Sequence, residues 1–119
     1  MTTFEKIMKA LRPFGYPCVR DVYEGGESDR WFTYNYADDY GDGYSDDEPG
    51  FAIVSVQIHF FLPWKEEFIH VKNKIRKALL DQDFTFPEVT VLLEKDTGIR
   101  HLIFECETEE EVSENRKEK

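Results

Sequence analysis

The residues best equipped for chemistry lie in "YADDYGDGYSDDEPGF", residues 36–51. Six carboxylates, Asp38, Asp39, Asp42, Asp46, Asp47 and Glu48, are interleaved with Tyr40, Tyr44 and two glycines, with no basic residue among them. Such a stretch could be a calcium loop, a mimic of a nucleic-acid backbone, or a solvated loop that serves an assembly. An EF-hand loop needs oxygen ligands at positions 1, 3 and 5, glycine at 6 and glutamate at 12. Counted from Asp38, Asp42 and Gly43 fit positions 5 and 6, but Tyr40 stands at 3 and Pro49 at 12. The spacing therefore argues against calcium and predicts no metal site.

The other reactive side chains form no constellation. His59, His70 and His101 have no second histidine or cysteine at metal-ligand spacing. His59 and His101 fall on different predicted strands and can be neighbours in space, with a wet sheet face as the expected setting. Cys18 and Cys106 are far apart and belong to no CxxC pair, so two free thiols in a reducing compartment are expected. GxSxG, P-loop and GxGxxG patterns are missing from the chain. The expectation is a protein with no catalytic residues and no cofactor, not an enzyme.

Bulk properties narrow the class. A chain of 119 residues is one domain by length and can bury a core. No apolar run approaches the roughly 18 residues that span a bilayer, and the first residues do not read as a secretory signal. The net charge of −10 disfavours specific nucleic-acid binding through phosphate contacts, and docking on an anionic membrane. It suits a basic partner or a surface that must not hold DNA. Five of the six tyrosines fall between Tyr23 and Tyr44, as sheet packing or an interface would require.

The elements that must position these residues follow from periodicity. Thr2 and Glu5 form a capping box before Phe4, Ile7, Met8 and Leu11. Pro13 and Gly15 end that helix. "YPCVRDVYE" and "RWFTYNYA" read as strands. In "FAIVSVQIHFF", Ala52, Val54, Val56, Ile58 and Phe60 share one face. A second helix is predicted from Pro63, with Trp64, Phe68, Val71, Ile75 and Leu79 on its apolar stripe. "EVTVLLE" and "IRHLIFECE" form a hairpin around "KDTG". The order α-β-β-β-α-β-β predicts an α+β domain over 1–107: one largely antiparallel or mixed sheet with both helices on one face. Residues 108–119 read as a charged tail, frayed or disordered.

Two segments carry a family resemblance: "WFTYNYAD", with its tyrosine-rich strand running into Ala37 and Asp38, and the closing hairpin "EKDTGIRHLIFEC". With the helices around them, residues 3 to 107 resemble the tail-terminator and tail-completion proteins of long-tailed bacteriophages and prophages. The resemblance implies a structural protein of the virion, present in the host cytoplasm before assembly. It implies a six-fold ring of identical subunits, a hexamer, that caps the tail-tube protein and joins it to the head connector. It implies no reaction and no cofactor. The acidic insertion departs from many such relatives. Asp38, Asp39, Tyr40, Asp42, Tyr44, Asp46, Asp47 and Glu48 are therefore the candidate interface or channel residues. A carboxylate wall would repel the phosphates of passing DNA. The alternative is a small acidic binding module or DNA mimic that inhibits a host nucleic-acid enzyme. Such a mimic needs carboxylates arrayed on a rigid surface, whereas a glycine-containing loop is expected to be mobile.

Overall fold

Thr2 starts the first helix as its sequence predicts. Its hydroxyl accepts from the Glu5 amide at 3.1 Å, and the Glu5 carboxylate accepts from the Thr2 amide at 2.8 Å. In the computed structural model, which describes residues 1–26, 28–45 and 48–112 and only the backbone across 40–45 and 48–49, five strands and two α-helices follow. They are α1 (Thr3–Leu11), β1 (Cys18–Arg20), β2 (Trp31–Ser45), β3 (Glu48–Pro63), α2 (Ile69–Leu80), β4 (Glu88–Glu94) and β5 (Ile99–Glu111), with a 3-10 turn at Arg12–Phe14. The sheet order is β1-β2-β3-β5-β4. β1 lies parallel to β2 and every other pair is antiparallel. The expected α+β fold and element order are what the chain adopts.

The alternation in β3 sets the two sides of the sheet. Val54, Val56, Ile58, Phe60 and Leu62 are buried, and the residues between them are half-exposed. Ile7 and Leu11 of α1 and Ile75 and Leu79 of α2 join Val56, Ile58, Phe60 and Leu62 in one apolar cluster. Both helices therefore pack on one side of the sheet. Among the described residues the other side carries no helix, and it is called the open side below.

Three expectations change. The second helix does not begin at Pro63. β3 continues through Pro63, which pairs with Ile99, and Trp64 then donates to the Gly98 carbonyl. The helix begins at Ile69, where the Glu67 carboxylate accepts from the Ile69 and His70 amides at 2.7 and 3.1 Å.

Residues 38–45 and 48 of the acidic stretch lie in strands, not in a loop inserted between them. β2 and β3 form one long hairpin, paired from Trp31↔Phe61 out to Ser45↔Glu48. The charged segment after Glu107 is likewise not outside the domain at its start. β5 runs to Glu111, and Thr108–Glu111 pair with Val54–Phe51; residues 113–119 lie outside the described residues. One cause explains both corrections. β3 is central, so the backbone groups along both of its edges need partners. β2 supplies them on one edge and β5 on the other, whatever the local propensity of an Asp- or Glu-rich segment.

Candidate functional site

A β-bulge decides which side the carboxylates take. Tyr36 pairs with Val56 and Asp38 with Ser55, so Ala37 is the extra residue. A one-residue shift reverses the alternation of a strand. Before the bulge, Phe32 and Tyr34 lie in the core with the helices. After it, Asp38, Tyr40 and Asp42 pair with Ser55, Ile53 and Phe51, and Asp38 takes the open side. Asp39 and Gly41 sit opposite Val54 and Ala52, on the helix side.

β5 adds carboxylates that the sequence reading did not include. Glu105, Glu107, Glu109 and Glu111 face Gln57, Ser55, Ile53 and Phe51 across the ladder. They share the open side at a two-residue repeat, roughly 6.8 Å. The Gln57 amide donates to Glu105 at 2.8 Å and the Ser55 hydroxyl to Glu107 at 3.2 Å. Beneath, Glu110 accepts from the Thr3 hydroxyl at 2.5 Å and from the Tyr36 hydroxyl. Burial and that carboxylate push the Tyr36 phenol up to about 12. Lys6 donates to the buried Thr108 at 2.9 Å.

Of the residues singled out in the sequence, Asp38, Asp39, Tyr40, Asp42 and Tyr44 therefore lie along β2, and Glu48 opens β3. Asp46 and Asp47 lie outside the described residues. The Glu-rich end of β5 could have been found from "FECETEEE", where strand alternation continues into the charged run.

The opposite end of the open side is aromatic. Tyr23 stacks on Trp31 at 5.2 Å, Trp31 on Phe61 at 4.9 Å and Phe61 on His101 at 4.2 Å. His59 Nδ1 lies 2.8 Å from His101 Nε2, so the two histidines on different strands are hydrogen-bonded neighbours. His59 Nε2 is 3.2 Å from Asn35 Oδ1, and His101 Nδ1 is 3.4 Å from Glu94 Oε2. Both imidazoles are half-buried rather than wet. Burial lowers the pKa of each below the ordinary histidine value; the His101 charge adds to this at His59, while Glu105 opposes it. Glu94 opposes the lowering at His101.

Among the described residues no group of three His, Cys, Asp or Glu is arranged to hold a metal ion. Cys18 and Cys106 are free thiols, and burial raises them to about 11 and about 12, away from the thiolate that reacts. No described helix is long and apolar enough to cross a membrane. The geometry offers a strand-borne array of carboxylates and a coupled pair of imidazoles. Compared with known proteins, the chain matches no family model and no curated protein sequence.

Proposed function

We propose that the chain is a structural subunit of a phage tail, a terminator that assembles as a six-fold ring, caps the finished tail tube and joins it to the head connector. The observation that supports this reading most is the acidic hairpin. Asp38 on β2 and Glu105, Glu107, Glu109 and Glu111 on β5 form a carboxylate surface on paired strands at one end of a molecule about 53 Å long. Repeated around a ring, such surfaces repel DNA phosphates and withhold the cations whose counterion release drives DNA binding. An α+β sheet with two helices is the fold that the resemblance implies. β4 offers a further joint: among the described strands it pairs with β5 alone, and Val91, Leu92 and Leu93 on it are exposed. Unpaired apolar edges invite another chain, and a head-to-tail contact repeats until rotation closes it.

A second reading gains from the same surface. The carboxylates stand on a hydrogen-bonded ladder rather than in a loose loop. Their roughly 6.8 Å repeat is twice the axial phosphate spacing of about 3.4 Å per strand in duplex DNA. An acidic module that occupies a basic nucleic-acid-binding surface would use it directly.

One variant tests both. Replacing residues 41–52 by Asn-Gly joins Tyr40 to its cross-strand partner Ile53 through a two-residue turn. On the terminator reading, electron microscopy of the parent with tail tubes shows capped ends and rings, and the shortened protein folds but leaves tubes open. Tubes left uncapped by the parent would overturn that reading. Tight 1:1 binding of the parent to a basic DNA-binding protein, competed by duplex DNA and lost in the variant, would favour the second.

A further inference from the structure

We propose that His59 and His101 form a single proton-binding site: an imidazole pair that holds three protons on its four ring nitrogens when its hydrogen-bond chain is complete, ties β2, β3, β5 and β4 together in that form, and parts at its centre when a fourth proton is added.

The proton count follows from the partners. Three links need a proton each: the hydrogen bonds of His59 Nε2 with Asn35 Oδ1 and of His59 Nδ1 with His101 Nε2, and the 3.4 Å ion pair of His101 Nδ1 with Glu94 Oε2. Neither end of the chain can supply one. Glu94 as a carboxylate has no proton to donate and can only accept. The Asn35 amide nitrogen is already aimed at the Tyr36 carbonyl, at 3.0 Å, and at Gln57 Oε1, at 3.4 Å. Gln57 is oriented in turn by its own nitrogen, which donates to Glu105. The Asn35 oxygen is therefore left facing His59, as an acceptor. A neutral pair carries two protons and leaves one link empty. A doubly charged pair carries four and sets N–H against N–H across 2.8 Å. Only the singly charged pair makes every bond.

The surroundings favour one charge and oppose two. The charged groups facing the pair among the described residues are Glu94 from β4 and Glu105 from β5. β2 contributes Asn35 and Thr33, and β3 contributes Gln57 and Phe61, none of which carries charge. One cation between two carboxylates is compensated. Burial and the first charge both act against the fourth proton, which brings the second charge. Because His101 stacks on Phe61, and Phe61 on Trp31, parting of the rings would be sensed along the aromatic row.

Imidazole nitrogen NMR of the full chain, titrated from pH 8 to pH 4, tests this. The expected result is two coupled steps seen on both rings, separated by more than about one pH unit, with Trp31 emission changing in the lower step. In His59→Gln, His101 should titrate in one step, displaced by more than about one unit from the lower step of the parent. Two independent curves, each unmoved when the other histidine is replaced, would overturn the proposal. If His59→Gln does not fold, Glu94→Gln serves, since the amide oxygen still accepts but the charge is gone. The upper step should then move to lower pH, and an unmoved upper step also overturns the proposal.

Discussion

The two ends of the open side share one backbone ladder and are held in different ways. At the aromatic end, side chains do the holding: Trp31, Phe61 and His101 stack, and the two histidines bond across β3 and β5. At the acidic end, open-side carboxylates stand beside one another and repel. That end is kept in register by backbone pairing and by what lies on the helix side, where Val54, Ala52 and Thr108 are buried. Cohesion of a sheet can thus be supplied from one side only, which leaves the other free to carry a surface that would not fold by itself.

The comparison breaks most readily in the core. Phe60→Ala, under the aromatic end, should cost about 3–5 kcal/mol, read as a large fall in melting temperature. Phe60 is fully buried and rests against Phe32 with ring centroids 4.6 Å apart. If melting is unchanged, the helix side is not what holds the sheet. On the open side, Phe61→Ala removes the middle ring of the row. Its two shortest ring contacts, with Trp31 and His101, at about 0.5–1.5 kcal/mol each, predict a loss of about 1–3 kcal/mol and a shift in Trp31 emission. A variant as stable as the parent would show that the row is ornament to the fold.

Changes of pH separate the ends further. Burial and mutual repulsion act against charging both His59 and His101 in the folded chain, so the unfolded chain takes up the second of their two protons first. The stability they contribute is present above about pH 6.5 and falls as the pH drops below it. Replacing both histidines by glutamine should flatten that part of the curve in urea titrations; an unchanged slope contradicts it. At the acidic end the sign is opposite in pH. Tyr36 is raised to about 12, so the unfolded phenol ionises first and stability is lost between about pH 10 and its folded value. Cys18 and Cys106, raised by burial, lose stability in the same sense. Tyr36→Phe should remove the tyrosine share of the alkaline loss.

The smallest effect sharpens the contrast. Glu107→Gln with Glu109→Gln relieves like-charge neighbours on the open side. It should stabilise by a few tenths of a kcal/mol, up to about 1, in low salt. The gain should fade by 0.15 M, where the screening length is about 8 Å. A loss of stability would mean that these carboxylates hold structural partners.

Much of this architecture is local and therefore legible in the chain. The capping box at Thr2 and Glu5, the alternation from Ala52 to Phe60, the hairpin at "KDTG" and the element order depend on short-range periodicity and on which residues tolerate a cap or a turn. What escaped depends on neighbours distant in sequence. The acidic strand and the start of the charged tail are shaped by the need of β3 for partners on both edges, a need that exists only once the sheet is assembled. The bulge at Ala37 shifts the register of β2 and sends Asp38 to the open side, and no local pattern announces it. His59 and His101, 42 residues apart, become one unit only because β3 and β5 pair in a register that brings their rings together. Composition determined that the chain is acidic; the tertiary pairing decided that its carboxylates form a surface, because strand register, not sequence distance, sets which side chains stand side by side.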